Sequence, residues 1–314
     1  MRAFVTGATG FVGGRLVERL RERGDAVIAL VRAPGKAEAL RGLECALAEG
    51  DLSSVESLAG AMAGCDAVFH VAADYRIGVP ESERGAMWDV NVRGTENVLD
   101  AAARAGVARI VYVSTNSVVG NTRGDVVDET YERPPQPFIS AYDESKLAAH
   151  RIVQERVAAG APVVVAQPGG IYGRGDHSEM ASLLERAFHG KPVVLALDSV
   201  GLNWVHVDDV ADGLLLLHDR GRLGETYILG GELGTLRRAV EQAYAAGGHR
   251  PRIVSLPTAA LRLAAPLGPL LGRNVREYVS ASDGVTYWGT DRKARRELGY
   301  DPAGLVEGLR RTFV

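Results

Sequence analysis

The chain has 314 residues, 46% of them hydrophobic and 24% charged, with a formal net charge of −3 at pH 7. That length holds one large domain or two intimately joined ones around a substantial core. A balance so near neutral gives neither nucleic acid nor an anionic membrane an electrostatic reason to bind.

Arg2 is followed at once by a short apolar run and a glycine-rich turn, a start unlike a targeting segment. Residues 3–6 read as a strand, 12–23 as a helix and 26–31 as a second strand. Helices follow at 37–41 and 55–63, then a strand at 67–71 and a helix at 91–105. Residues 109–114 form a strand, 141–159 a long helix and 163–167 another strand. Short strands separated by amphipathic helices predict βαβ units and a parallel sheet. The strands are apolar throughout, as expected where helices cover both faces. Turn signals at Gly24-Asp25, Gly64-Cys65-Asp66, Gly106 and Gly160 mark the boundaries.

Beyond Gln167 the alternation breaks into shorter pieces at Gly169-Gly170 and Tyr172-Gly173-Arg174-Gly175. The fold class is therefore α/β: a Rossmann-type doubly wound parallel sheet with a smaller, less regular C-terminal substrate region. We expect the dinucleotide-binding domain at 1–167, rejoined by a return segment near 203–220, and a mainly substrate-binding region at 168–314. The longest late apolar stretch, residues 258–272, is interrupted by Arg262, Pro266 and Pro269 and falls short of the roughly 20 residues that span a bilayer. Cys45 and Cys65 read as thiols in a reducing compartment rather than a disulfide. A cytoplasmic protein without a membrane partner is the expectation.

Val5-Thr6-Gly7-Ala8-Thr9-Gly10-Phe11-Val12-Gly13 lies between the first strand and the first helix. Its Gly-x-x-Gly-x-x-Gly spacing fits a phosphate loop. One glycine makes the tight turn, one lets the backbone approach a pyrophosphate, and the third lets helix pack on strand; the helix N-terminus favours the anion. The second strand ends Leu30-Val31-Arg32-Ala33, without a carboxylate, and Lys36 follows. A cation there suits the 2′-phosphate of NADP, which a carboxylate would repel, so NADP is favoured over NAD. Asp51, with Leu52 beside it, is either an acceptor for the adenine amino group or a turn aspartate.

Ser140-Ala141-Tyr142-Asp143-Glu144-Ser145-Lys146 opens the long helix, with Ser140 and Asp143 spaced like a capping box. Tyr142 and Lys146, four apart, share a helix face. A phenol titrating near pH 10 transfers protons poorly at neutral pH, and a neighbouring ammonium is expected to lower that value. Ser114, Thr115 and Ser117 follow the strand at 109–114; any of the three hydroxyls could donate to a developing alkoxide. The run His206-Val207-Asp208-Asp209 has metal-ligating residue types but no partner at ligand spacing, and no metal is expected.

The glycine turn, Tyr142 with Lys146, Asn91-Val92-Arg93-Gly94-Thr95 and Val205-His206-Val207-Asp208-Asp209-Val210 together resemble the extended short-chain dehydrogenase/reductases, which include NDP-sugar epimerases and dehydratases, dihydroflavonol reductases and 3β-hydroxysteroid dehydrogenases. Residues 289–302 are similar to the end of that family. His70-Val71-Ala72-Ala73-Asp74-Tyr75 and Tyr227-Ile228-Leu229-Gly230-Gly231-Glu232 look closest to the dihydroflavonol-reductase-like branch that includes hopanoid-associated sugar epimerases.

The resemblance implies an NADP(H)-dependent oxidoreductase acting on a ketone, an aldehyde or the corresponding alcohol, with Thr115, Tyr142 and Lys146 catalytic. It places Ala72 and Ala73 along the cofactor, Pro168 and Ile171 beside the nicotinamide, and Asn91 in support of the site. It also implies a homodimer through the helices at 91–105 and 141–159. The alternative is an NDP-sugar epimerase or dehydratase with tightly held NAD(P). Val118-Val119-Gly120 stands where Val-Tyr-Gly is usual in the family, which removes an aromatic often placed near a sugar nucleotide.

Overall fold

The computed structural model describes residues 1–37, 40, 42–264 and 274–314. β1 (Arg2–Thr6) runs through the glycine turn into α1 (Phe11–Glu22), which returns to β2 (Ala26–Val31); β3 (Ala46–Glu49) adds the edge beyond β2. After α2 (Val55–Met62) the chain crosses to β4 (Ala67–His70) on the other flank of β1. Then α3 (Arg84–Trp88) and α4 (Gly94–Arg104) precede β5 (Arg109–Val113), and α5 (Ala141–Ala158) precedes β6 (Val163–Pro168).

The C-terminal part carries β7 (Gly170–Tyr172), α6 (Glu179–Phe188), β8 (Val193–Ala196) and β9 (Gly201–His206). α7 (Val207–Arg220) and β10 (Thr226–Leu229) return to the first sheet. β11 (Glu232–Thr235), α8 (Leu236–Ala246), β12 (Ile253–Leu256), α9 (Thr258–Ala264), α10 (Val275–Ser282), α11 (Arg292–Leu298) and α12 (Leu305–Phe313) complete the chain.

The central sheet has seven strands in the order β10-β6-β5-β4-β1-β2-β3, all paired in parallel. Strand order reverses between β1 and β4, and ligands bind in the crevice that such a reversal opens beyond the strands' carboxyl ends. Both faces are covered. Leu16, Val17 and Leu20 of α1, with Val210, Leu214 and Leu217 of α7, pack over Val5, Phe69 and Val111. Leu58 and Met62 of α2, Val98 and Leu99 of α4 and Val153 of α5 pack over Phe4, Val68 and Tyr112. Burying each such side chain contributes about 1.5–3 kcal/mol.

A separate core of Tyr172, Leu184, Trp204 and Tyr244 holds the C-terminal part. Ion pairs Arg15–Asp208 (2.5 Å) and Arg19–Asp212 (2.9 Å) join α1 to α7. His206 accepts from the Asp208 N–H (3.2 Å) as the cap of α7, and Asp209 accepts from the Ala303 N–H (2.9 Å). Those side chains are thus spent on joining segments. No helix among the described residues is long and apolar enough to cross a membrane.

Three segments differ from the sequence reading or lie beyond its test. The predicted helix at 37–41 falls largely on Glu38, Ala39 and Arg41, outside the described residues; what precedes it is a short 3-10 turn, Pro34–Lys36. β3 went unpredicted because Ala-Leu-Ala-Glu has no β-branched or aromatic residue, and its place at the sheet edge leaves it half exposed. The helix predicted from 91 begins earlier, at Arg84, and runs through a π-helical stretch, Asp89–Arg93, into α4.

Candidate active site

The glycine turn is shaped by contacts that only glycine allows. Gly7 has φ +70°, and a Cβ there would stand 2.7 Å from the Ala72 nitrogen. A Cβ on Gly13 would stand 2.1 Å from the Gly7 carbonyl oxygen. The Gly10 N–H donates to that same oxygen at 2.9 Å. Gly10 caps α1 without a side-chain hydrogen bond, and the first turn, through Phe11 and Val12, holds no acid. The helix therefore offers bare N–H groups and unopposed positive dipole at the crevice. A dinucleotide pyrophosphate fits this cradle.

Parallel register brings the two walls of the crevice together, since Thr6 at the end of β1 pairs with His70 at the end of β4. Thr95 spends its one proton on the Asn91 carbonyl (2.7 Å), so its oxygen accepts from His70 Nε2 (3.1 Å). His70 Nδ1 then accepts from the Thr6 hydroxyl (2.8 Å), whose oxygen accepts from the N–H groups of Val71 and Ala72, both at 3.2 Å. Every buried polar group in this chain of hydrogen bonds is satisfied with a neutral imidazole.

Burial, aided by the nearby Lys146 charge, lowers the His70 pKa to about 3. The same causes, with a smaller one from Arg151, bring His150, joined to Ser114 Oγ at 3.0 Å, to about 4. Below the ordinary value of 6.5 the unfolded chain binds protons that the fold refuses, so stability falls with pH from there down to those values. Urea unfolding should show a loss of about 2 kcal/mol for each histidine between pH 7 and 5. A flat profile across that interval would contradict the neutral assignment.

Tyr142 projects from the first turn of α5. Ser140 accepts from the Asp143 N–H (3.0 Å), the first half of the expected box. The Asp143 carboxylate does not close it. It pairs with Arg133 (2.5 and 2.8 Å) and accepts from the Ile139 N–H (3.2 Å). Tyr142 is 9% exposed, packed with Ala141, Val79 and Met87, and the Tyr75 ring meets its edge at 4.9 Å.

Lys146, one turn on, is buried. Its Nζ donates to the Val113 carbonyl (3.0 Å) and lies 5.1 Å from the Tyr112 ring centre. Burial lowers its pKa to about 8, so most of it still carries its proton at pH 7. The sequence expectation, a phenol pulled down by that ammonium together with an oxidised nicotinamide ring, concerns the enzyme with its cofactor bound. Burial is the larger influence on Tyr142 and raises its pKa, with Tyr75 adding to the rise and a hydrogen bond with Thr115 opposing it.

Of the three candidate hydroxyls, Thr115 is the one near enough to Tyr142 to oppose the rise of its pKa; it also accepts from the Ser117 N–H at 3.2 Å. Ser114 is engaged with His150, and Ser117 Oγ is buried without a partner among the described residues.

Arg32 is exposed just past β2, and its charge helps hold the Asp51 carboxyl below its usual range. The main cause of that lowering is Ser53, whose N–H and hydroxyl donate to Asp51 at 2.8 and 2.5 Å. Lys36 ends the 3-10 turn, and its side chain lies outside the described residues. The Leu52 carbonyl is pinned by Asn97 (2.7 Å). Thr9 and Ala73 are exposed in their loops, Ala72 abuts Gly7, and Pro168 and Ile171 sit at the end of β6 and within β7.

Asn91 bridges the walls: its amide donates to the Asp74 carbonyl (3.0 Å) and Ser145 Oγ (3.0 Å), and its oxygen accepts from the Asp74 N–H (2.7 Å). Sequence reasoning passed over the Thr6–His70–Thr95 chain that ties the two walls together. A histidine closing the otherwise apolar strand Ala67–His70 was the available signal.

The model of the NAD dependent epimerase/dehydratase family matches residues 3–230. A ketoreductase from Stigmatella aurantiaca, named for 4-hydroxy-2-methyl-3-oxo-4-farnesyl-3,4-dihydroquinoline-1-oxide, is 34% identical over 98% of this chain and 93% of its own. The 2-alkyl-3-oxoalkanoate reductase of Stenotrophomonas maltophilia is 31% identical over 99% of this chain and 98% of its own. Among solved structures, the UDP-glucose 4-epimerase of Thermus thermophilus in complex with NAD superposes with a TM-score of 0.78, at 27% identity over 100% of this chain and 98% of that one.

Proposed function

Because this chain belongs to the NAD dependent epimerase/dehydratase family and is an NAD(P)-dependent enzyme, we propose that it is an NADP(H)-dependent carbonyl reductase or alcohol dehydrogenase with Tyr142 as its acid/base. The observation that carries the reading is geometric: Tyr142 and the buried Lys146 lie one turn apart on α5, and Lys146 Nζ is fixed on the Val113 carbonyl at the carboxyl end of β5, which Thr115 follows.

When bound, the nicotinamide dinucleotide supplies a hydride to a carbonyl carbon, or takes one from the alcohol carbon. Tyr142, kept protonated by burial, gives its proton to the carbonyl oxygen, and Thr115 orients that oxygen. Lys146 stabilises the phenolate left behind and holds the nicotinamide ribose. The turn from Gly7 through Thr9, Gly10, Phe11 and Val12 to Gly13 would hold the pyrophosphate, and Arg32 with Lys36 would take the 2′-phosphate. Asp51 and Leu52 would lie at the adenine, Ala72 and Ala73 along the cofactor, and Pro168 and Ile171 beside the nicotinamide.

A substrate with an apolar arm is supported by Tyr75, whose ring packs against Tyr142 while 58% exposed. The names of both reductase relatives point the same way. We place the enzyme in the cytoplasm, where its free cysteines, buried Cys65 and half-buried Cys45, stay reduced. We place two copies across α4 and α5, which lie side by side and share the Arg156–Asp100 pair (2.8 Å).

The test is a panel of ketones bearing alkyl, terpenoid or ring-fused arms, incubated with NADPH and separately with NADH. Expected is net loss of the reduced cofactor's near-ultraviolet absorbance, with the lower KM for NADPH. Isomerisation of a nucleotide sugar without net redox, on cofactor that copurifies, would favour the epimerase alternative.

A further inference from the structure

Glu277, in α10, sits at a junction that the chemistry above does not use. Its carboxylate is buried, and the four groups that donate to it come from outside its own helix or from the helix cap. Oε1 accepts from the backbone N–H groups of Gly78 (3.3 Å) and Ala141 (3.1 Å). Oε2 accepts from Arg84 Nη2 (3.1 Å) and Asn274 Nδ2 (3.3 Å). Asn274 closes the junction: its N–H donates to the Gly78 carbonyl (2.9 Å), and its side-chain oxygen accepts from the Glu277 N–H (3.2 Å).

Three segments distant in sequence are thereby fastened at one carboxylate. Ala141 is the first residue of α5, immediately before Tyr142. Its N–H is one of those a helix leaves without an internal partner, and an anion there is favoured by hydrogen bond and dipole alike. Ser140 already caps that helix through the Asp143 N–H, so holding the helix together does not require a partner 136 residues away. Gly78 lies on the stretch that also presents Tyr75 to the Tyr142 ring and packs Val79 beneath it.

We infer that Glu277 is a positioning residue: it sets the Tyr142 turn and the 74–80 stretch in register with the C-terminal region, fixing where the phenol meets the substrate carbonyl. The inference rests on the reading of Tyr142 as the acid/base. A misplacement of about 1 Å at a reacting group costs up to a hundredfold in rate.

The experiment compares Glu277→Ala, Glu277→Gln and Ala141→Pro in the full-length protein, measuring kcat and KM for the best ketone and, separately, NADPH affinity. Glu277→Ala should lower kcat by roughly tenfold or more while NADPH affinity stays within about twofold. Glu277→Gln keeps a carbonyl oxygen for both backbone donors but turns its NH2 toward the Arg84 and Asn274 donors, and should give a kcat between those of Glu277→Ala and the parent. Ala141→Pro deletes the donor at a position where helices accept proline, and should reproduce the kcat loss. It also provides the answer if the alanine variant does not fold.

A parent-like kcat in folded Glu277→Ala or Ala141→Pro would overturn the inference, as would a parallel fall in kcat and NADPH affinity. Tyr142→Phe separates the two ideas. If that variant stays active, the acid/base reading has failed; if it is inactive while Glu277→Ala is not, only the positioning role has.

Discussion

Tyr142→Phe should lower kcat for ketone reduction by about a thousandfold and leave NADPH affinity within about twofold. The substitution is nearly isosteric. A phenyl ring keeps the packing against Val79, Met87 and Ala141 and the edge contact with Tyr75, so the wall of the site stays in place. What is lost is one hydroxyl and its interaction with the nearby Thr115. At 9% exposure the position gives water little room to replace it.

The groups assigned to the dinucleotide are untouched. Lys146 keeps its bond to the Val113 carbonyl, and the glycine turn is built by backbone contacts on the other wall. The split matters more than the size of the loss. Fluorescence titration of NADPH together with single-turnover reduction measures both halves, and a Phe variant reducing ketones at the parent rate would remove Tyr142 from the mechanism.

How much of this site could be read before the fold was known depends on whether the informative contact is local. Gly7, Gly10 and Gly13 act within a single strand–turn–helix unit, and Tyr142 with Lys146 within a single helical turn, so spacing alone exposes them. The hydroxyl choice is different. Ser114, Thr115 and Ser117 are equivalent by spacing, and they part only when α5 packs: His150 engages Ser114 and Tyr142 meets Thr115.

Longer-range partners were illegible for the same reason. Glu277 meets Ala141 across 136 residues, and His70 meets Thr6 across 64 because β1 and β4 pair in that register. The edge strand β3 failed on composition, since its two alanines carry no strand preference and the pairing with β2 decides its conformation. The burial that raises the Tyr142 pKa was equally out of reach: a neighbouring ammonium is visible at i+4, whereas burial is a property of the packed site.

Gly13→Ala should abolish measurable NADPH binding and lower stability by about 3 kcal/mol, whereas Gly14→Ala, one residue on, should be neutral or stabilising by up to about 1 kcal/mol. Both positions lie in the first turns of α1, where alanine is the better helix former, so propensity alone ranks them equally. Space separates them. The new Cβ at 13 would lie 2.1 Å from the Gly7 oxygen and 2.6 Å from its carbonyl carbon, while at 14 the nearest atom, the Ala8 oxygen, is at an ordinary 3.5 Å.

Gly7 cannot retreat, because it accepts from the Gly10 N–H on one side and touches the Ala72 backbone on the other. The overlap is relieved only by lifting α1 from the turn. That movement carries away the N–H groups proposed to bind the pyrophosphate and pulls Leu16, Val17 and Leu20 from the sheet. Thermal melting and NADPH titration of the two variants test the argument together. Parent-like NADPH affinity in Gly13→Ala would mean that the dinucleotide sits elsewhere.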